Sequence, residues 1–295
     1  MLAYDFGGTK VSLATAAPDG AVIGKGRLES GRFASGSELL AAAIAAGREL
    51  AAAQAGGRLA AIGVSTMGIT YPDRVAMAPN VPGWEELRME ASFAAAFPGV
   101  PVGIDNDVKA AALAEAAKGS LAGVGAGMYV NLGTGIAVAL TLDGRVVHGG
   151  HGAAGEIAYC LRGPAEPLGY ADGAAPFEDF AGGKSVGRRA SERFGRPLTA
   201  RDVFAMSRER ADAAAFVEET LAAVAFQLAN ALILWDPSKV AFGGGMMGAA
   251  DAILPRLRSA FQRFVPFPPE LCEARFREDA GLYGAVELAR ARAAD

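Results

Sequence analysis

The chain begins with a short apolar strand that runs into an acid and a glycine turn, Asp5-Phe6-Gly7-Gly8-Thr9-Lys10. A turn of this kind suits phosphate, because Gly7 and Gly8 can take positive φ angles and aim backbone N–H groups at one anion. Thr9 adds a hydroxyl donor, and a carboxylate such as Asp5 is a ligand that Mg²⁺ prefers. Short glycine motifs also recur by chance, so the alternative interpretation is a plain hairpin turn.

Length and composition predict a globular chain with two lobes. The 295 residues reach the size at which one hydrophobic core stops growing, and 52% of them are hydrophobic against 20% charged. The net charge of −4, the pI near 5.4 and the lack of a dense Lys/Arg run argue against a nucleic-acid partner. A small-molecule partner is expected instead.

Apolar stretches and cysteines indicate the compartment. Polar residues such as Arg48, Glu49 and Gln227 interrupt every stretch before it reaches the ~18 apolar residues of a membrane span. Cys160 and Cys272 are far apart and lie in no metal-binding pattern, which is typical of a reducing compartment. We therefore expect a cytoplasmic chain with no membrane partner.

The second half of the chain repeats the elements of the first half. Each half begins with three strands, of which the first two are joined by a glycine turn, and continues with a helix and another strand. The predicted elements are strands 1–5, 10–16, 21–29 and 59–66 with helix 37–55, and then strands 127–132, 136–142, 145–148 and 239–243. This order predicts a duplicated α/β unit with a cleft between two lobes. The alternative is chance similarity in a chain with 39 glycines.

Two more glycine motifs lie in the second half. The turn Gly133-Thr134-Gly135 follows a strand as the first turn does, and two such turns facing across a cleft could hold the β- and γ-phosphates of a nucleotide. Gly243-Gly244-Gly245 would allow close backbone approach to adenine or ribose, although a simple helix entry is equally consistent.

Asp105-Asn106-Asp107 lies where a predicted strand ends and helix 108–118 begins. Open α/β sheets place their ligands at this edge. Asp107 is the candidate general base, which would accept the proton of a substrate hydroxyl during phosphoryl transfer. The alternative is that Asn106 or Asp107 only caps the helix, and the two roles are compatible.

Other residues leave two interpretations open. The acids Glu156 and Glu178 suit the hydroxyls of a polyol but are also typical of solvated loops. His148 and His151 lack a third metal ligand nearby. Trp84 is either a sugar platform or a packing residue.

Taken together, these motifs resemble the ROK family of sugar kinases, within the actin-like and hexokinase-like ATPases, over essentially the whole chain. The resemblance rests on the first glycine turn, Asn106-Asp107, the second glycine turn, Gly243-Gly244-Gly245, the sugar-loop sequence Pro79-Asn80-Val81-Pro82-Gly83-Trp84, and Gly155-Glu156-Ile157. It implies an α/β fold of two actin-like (ribonuclease H-like) lobes, 1–117 plus 282–295 and 118–281, and a homodimer.

The resemblance also implies the roles of the site residues. Asp5 would face magnesium. The residues expected to bind the sugar are Gly68, Asn80, Asn106, Asp107, Glu156, Tyr159 and Glu178. Those expected to bind ATP are Asp5, Gly7, Gly8, Thr9, Lys10, Gly133, Thr134, Gly135, Gly243, Gly244 and Gly245.

The chain departs from the family at its zinc site. Ala158-Tyr159 stands where the family has a zinc-binding histidine, and 169–178 replaces the cysteine cluster, so we expect no zinc. Glu178 still matches the acid that ends that cluster. The missing histidine also contacts the sugar in the family, so Tyr159 leaves the identity of the sugar open.

We predict an enzyme that phosphorylates a hexose, with glucose at its 6-hydroxyl as the first choice, using ATP, magnesium and Asp107 as general base. The alternatives are a kinase for fructose, mannose or an N-acetylhexosamine, and a non-catalytic sugar sensor. Polyphosphate is an alternative donor. Intact Asp5, Thr9, Asp107 and Thr134 favour catalysis.

Overall fold

A computed structural model describes residues 1–55, 58–78, 82–166 and 168–294, which form a mixed α/β fold. The strands are Leu2–Phe6 (β1), Lys10–Ala16 (β2), Val22–Glu29 (β3), Ile62–Thr66 (β4), Ile69–Thr70 (β5), Val75–Ala76 (β6), Val102–Asn106 (β7), Ala126–Leu132 (β8), Ile136–Leu142 (β9), Arg145–Val147 (β10), Lys239–Gly243 (β11) and Glu270–Glu273 (β12). The helices are Gly36–Ala55 (α1), Met89–Ala96 (α2), Asp107–Lys118 (α3), Glu178–Ala181 (α4), Gly183–Phe194 (α5), Ala200–Met206 (α6), Ala211–Trp235 (α7), Ala250–Phe264 (α8) and Ala280–Ala294 (α9). The predicted α/β class is confirmed.

The chain divides into two compact units. Unit 1 comprises Met1–Ala117 with Asp279–Asp295, and unit 2 comprises Lys118–Glu278. The main sheet of unit 1 has the strand order β3-β2-β1-β4-β7, and that of unit 2 has the order β10-β9-β8-β11-β12. In both sheets the first three strands of the sequence pair antiparallel, and the other two strands run parallel to the first. The two units therefore have the same sheet topology, as the repeat of elements predicted.

The sheet of unit 1 is covered on both faces. On one face α9 approaches so closely that a Cβ on Gly63 of β4 would collide with the carbonyl oxygen of Ala285. On the other face lies an aromatic cluster in which the Phe6 and Trp84 ring centroids are 5.4 Å apart. Trp84 is fully buried there and its Nε1 donates to Thr66 Oγ1 at 3.3 Å. Of the two interpretations of Trp84, the structure shows the packing residue.

Helix α7 is the longest helix of the described residues and supports the core of unit 2. Its buried residues include Phe216, Val224 and Leu228. By length and composition, α7 is also the one described helix that could cross a membrane, a test that the core helices of soluble proteins pass as well. Because one face of α7 packs into this core, the helix is weak evidence for a membrane span.

Most predicted boundaries agree with the structure, and the exceptions follow from strand pairing. Strands 136–142 and 239–243 are confirmed at both ends. The predicted strand 59–66 begins only at Ile62, because this residue pairs with Leu2 and Val102, the first residues of the two flanking strands. The residues before Ile62 therefore have no paired residues on the two flanking strands.

Candidate active site

The carboxyl ends of three neighbouring parallel strands meet at one edge of the unit 1 sheet. In the register, Asp5 of β1 is opposite Ser65 of β4, and Ser65 is opposite Asp105 of β7. Neighbouring strands lie about 4.8 Å apart. The fold therefore brings the first glycine turn, the loop at Gly68 and the residues that follow Asp105 to the same edge of the sheet.

Asp5 is the partly buried acid of this edge. Its Oδ1 accepts a hydrogen bond from Ser65 Oγ at 2.7 Å, and a Cβ on Gly281 of α9 would collide with its carboxylate. Burial raises the pKa of Asp5, an effect that the Ser65 hydrogen bond and the positive charge of Lys10 partly oppose. A cation beside this carboxylate would offset part of its desolvation cost.

The first glycine turn closes the β1–β2 hairpin, with Gly7 N donating to Lys10 O at 2.9 Å. The prediction that Gly7 and Gly8 take positive φ angles is wrong, since neither lies in that region. Gly8 nevertheless has open space around it, because the nearest atom to a Cβ placed there would be Met67 Sδ at 4.0 Å. The fold itself does not require glycine at this position, which leaves ligand approach as a reason for it.

Asn106 and Asp107 form the junction between β7 and α3. Asn106 Oδ1 accepts from the backbone N–H of Lys109 at 2.8 Å, so Asn106 is the N-cap of the helix. Asp107 is the first helical residue, and its Oδ1 accepts from Val108 N at 2.9 Å. The capping alternative thus applies to Asn106, while Asp107 stands at the sheet edge as the candidate base.

Gly68 and Asn80 were also expected to bind the sugar. Gly68 has a φ of +75°, and a Cβ on it would collide with the carbonyl oxygen of Ala76, so the β5–β6 hairpin itself requires glycine. Asn80 lies outside the described residues.

The second glycine turn is held by the segment around the start of α5. Gly133 O and Thr134 O accept hydrogen bonds, both of 3.0 Å, from the backbone N–H groups of Gly183 and Lys184. A Cβ on Gly183 would collide with Gly133 O, so glycine is required for this contact. Sequence reasoning missed the segment 182–184, although its Gly-Gly-Lys sequence at the start of a helix is a detectable signal.

Gly243-Gly244-Gly245 lies beside the second glycine turn, because β8 and β11 are parallel neighbours with Asn131 opposite Gly243. Gly244 has a φ of +91°, and a Cβ on it would collide with the backbone of Leu132. Around Gly245 a Cβ would meet no atom within 4 Å. Two predicted nucleotide-binding motifs therefore share one edge of the unit 2 sheet.

Tyr159 lies in unit 2 within the field of two of the predicted sugar-binding acids. Burial raises the pKa of Tyr159, and the negative charges of Glu156 and Glu178 raise it further. The Tyr159 ring packs edge-on against Tyr170 with centroids 5.3 Å apart. In the part of the chain that the structure describes, no group of three or more His, Cys, Asp or Glu is placed to hold a metal ion.

The family is established by comparison with known proteins. The family model described as "ROK family" matches residues 1–292, so the chain belongs to the ROK family. A curated relative called N-acetylmannosamine kinase, from Pasteurella multocida, is 29% identical over 97% of this chain and 94% of its own length. The chain is therefore similar to a sugar kinase along its whole length.

Two solved structures show the same fold. The ROK hexokinase from Thermus thermophilus is 30% identical, with a TM-score of 0.85 over 100% of this chain and 99% of its own. The ROK family glucokinase from Streptomyces griseus, solved in complex with glucose and AMPPNP, is 23% identical, with a TM-score of 0.80 over 99% of both chains. The predicted actin-like fold and the assignment as a sugar kinase are confirmed.

Proposed function

We propose that this protein transfers the γ-phosphoryl group of ATP to the 6-hydroxyl of glucose, with magnesium bound to the nucleotide and Asp107 as the general base. The observation that carries the proposal is the register of Asp5, Ser65 and Asp105, which aligns the first glycine turn with the strand that leads to Asp107. Parallel α/β sheets bind their ligands at this edge.

The sugar would be positioned by amide and carboxylate side chains. Asp107 would accept the proton of the attacking hydroxyl, an effect worth roughly 10²–10⁴ in rate. Asn106 is rigid because it caps α3, so it suits a fixed contact with a sugar hydroxyl. In unit 2, Glu156 and Tyr159 are the matching candidates.

The nucleotide would use the glycine motifs. The open space at Gly8 and Gly245 suits close approach of phosphate and of adenosine, respectively. Asp5 fits magnesium by its donor chemistry, because a partly buried carboxylate with a raised pKa is stabilised by a nearby cation. Magnesium would neutralise charge on the transferred phosphoryl group.

The choice of glucose as the substrate rests on the resemblance to the ROK family. The names of the relatives and the residue Tyr159 support a second candidate substrate. Relatives called glucokinase and relatives called N-acetylmannosamine kinase match the chain at 26% and 29% identity. The resemblance implies that Tyr159 replaces the histidine that contacts the sugar in the family. An N-acetylated hexose is therefore the alternative substrate.

The test is a phosphorylation assay with glucose, fructose, mannose, N-acetylglucosamine and N-acetylmannosamine, each with ATP or polyphosphate and magnesium. Asp107→Asn should lower kcat by roughly 10²–10⁴ and leave sugar affinity largely intact. Asp105→Asn removes the same charge two residues away and should keep kcat within about tenfold.

Each outcome has a distinct meaning. Turnover confined to an N-acetylated hexose would replace glucose with the second candidate. Sugar binding by calorimetry without any turnover would indicate a sensor. Near-normal kcat in Asp107→Asn would remove the proposed base.

A further inference from the structure

The carboxylate of Glu178 contacts the backbone of the second glycine turn. Glu178 Oε2 accepts a hydrogen bond from Ile136 N at 2.8 Å, and Ile136 directly follows Gly133-Thr134-Gly135. A Cβ on Gly135 would collide with the same oxygen. The carboxylate therefore packs directly against the end of the turn.

Glu178 itself is held rigidly. The preceding residue, Phe177, is fully buried, and its N–H donates to Ala158 O at 3.1 Å. On the other side, Gly182 N donates to Glu178 O at 2.9 Å, and a Cβ on Gly182 would lie 2.9 Å from Glu178 Cγ. A side chain confined in this way can fix the group that it contacts.

The turn is thus fixed at both ends. The N–H groups of Gly183 and Lys184 hold the carbonyls of Gly133 and Thr134, and Glu178 holds the N–H of Ile136. These carbonyl contacts orient the peptide planes of the turn, and with them the N–H groups that a phosphate would meet. Holding such donors in place before the ligand arrives lowers the cost of binding.

We propose that Glu178 is a positioning residue for the nucleotide-phosphate turn Gly133-Thr134-Gly135, acting through its hydrogen bond to Ile136 N–H. The role rests on the proposed function, because it requires that this turn bind a nucleotide. It differs from the predicted sugar contact of Glu178, since Oε2 is already bonded to the turn.

The negative charge of Glu178 and its contact with the turn would have opposite effects on nucleotide affinity. A carboxylate repels phosphate, so a side chain that acted by charge alone would weaken nucleotide binding, and its removal would strengthen it. A side chain that positions the turn strengthens binding in spite of its charge. Variants that separate the hydrogen bond from the charge decide between the two.

The experiment measures AMPPNP affinity by calorimetry, with magnesium and without sugar. Glu178→Gln keeps an acceptor oxygen of the same reach and should bind within about threefold of wild type. Glu178→Ala and Glu178→Asp, which lose the hydrogen bond or the reach to make it, should each weaken binding about tenfold or more. Asp179→Asn is the matched control, because Asp179 is the exposed neighbouring acid, and it should leave affinity unchanged.

The proposal is overturned if Glu178→Ala and Glu178→Asp bind AMPPNP as tightly as wild type, or if Glu178→Gln loses as much affinity as they do. If Glu178→Ala does not fold, the comparison of Glu178→Gln with Glu178→Asp decides alone. A wild-type chain that binds no AMPPNP would contradict the proposed function as well, whereas equal affinities among variants of a binding chain contradict only the role of Glu178.

Discussion

The glycine turns of unit 1 and unit 2 occupy the same place in two sheets of the same topology, yet side chains pack against them differently. The β1–β2 turn is bonded to a neighbouring segment through Ser30, which donates to the carbonyls of Gly7 and Thr9, but Gly8 has open space around it. The β8–β9 turn is packed against Glu178 and the start of α5, and a Cβ on Gly135 would collide with Glu178. A repeated topology thus places both turns, while their surroundings decide which glycines the fold requires.

The residues two positions before the turns also differ. Asp5 precedes Gly7 in unit 1, and Asn131 precedes Gly133 in unit 2. The carboxylate suits a cation, whereas the amide adds no negative charge near a phosphate. The two turns therefore carry their negative charge at different points, Asp5 before the first turn and the Glu178 carboxylate at the end of the second.

Exchanging these two residues should have the largest effect. Under the proposed function Asp5→Asn should lower kcat by about 10²–10³, because it removes the carboxylate that faces magnesium and so weakens the stabilisation of charge on the transferred phosphoryl group. The variant should still fold, since the amide oxygen of asparagine can accept the hydrogen bond of Ser65 Oγ. Steady-state kinetics over a series of magnesium concentrations measures the loss.

The reciprocal variant checks the asymmetry. Asn131→Asp places a carboxylate beside Gly133 and Gly244, so the KM for ATP should rise about tenfold, by roughly 1.4 kcal/mol of repulsion. Equal kinetics for wild type and both variants would show that the electrostatic difference between the units has no catalytic meaning.

Alanine at matched glycines should have a smaller effect on stability that differs between the units. Gly135→Ala should lower the free energy of unfolding by about 2 kcal/mol, because the new Cβ displaces Glu178. Gly8→Ala should change it by less than about 1 kcal/mol, since the backbone and the space there accept a Cβ.

The two tryptophans allow each unit to be followed by itself. Trp84 lies in unit 1 and Trp235 in unit 2, so urea unfolding of variants with one of them replaced by Phe reports each unit separately. Destabilisation by Gly8→Ala as large as that by Gly135→Ala would contradict the difference between the turns.

The smallest expected effect is the pH dependence that Asp5 adds to unit 1. Burial raises its pKa in the folded chain above the ordinary 3.8, so the folded state binds more protons than the unfolded state between these two values. Asp5 should therefore lower the free energy of unfolding as the pH rises through this window. Below this pH window Asp5 is protonated in both the folded and the unfolded chain and does not change the free energy of unfolding. Above the window the full cost of burying the ionised carboxylate lowers the free energy of unfolding.

The Asp5→Asn variant removes the pH dependence of stability that Asp5 adds, because asparagine does not titrate. The difference in urea midpoint between Asp5→Asn and wild type, followed through Trp84, should grow in favour of the variant as the pH rises from 3.8. A difference that is constant with pH, or that grows in the opposite direction, would mean that Asp5 is not destabilised by burial.

Local sequence predicted the elements of the site better than it predicted their contacts. Asn106-Asp107 was expected between a strand and a helix, and the structure places it there, because the cap and the helix start are local features. The positive φ angles expected of Gly7 and Gly8 are wrong, since the hairpin closes without them. The bond between Glu178 and Ile136 joins residues 42 positions apart, and a hydrogen bond at that separation leaves no periodic signal in the sequence.

By itself, the amino-acid sequence determined the family, the duplicated order of strands and the acids and glycines that can meet a sugar and a nucleotide. Such features depend on residue type and on short spacings, which a sequence carries directly. Tertiary structure alone decided that Trp84 belongs to the core, that Gly68, Gly183 and Gly244 are required by close backbone contacts, and that Glu178 packs against the second turn. The physical reason is that close packing depends on which distant backbone segments meet, and only the folded chain brings them together.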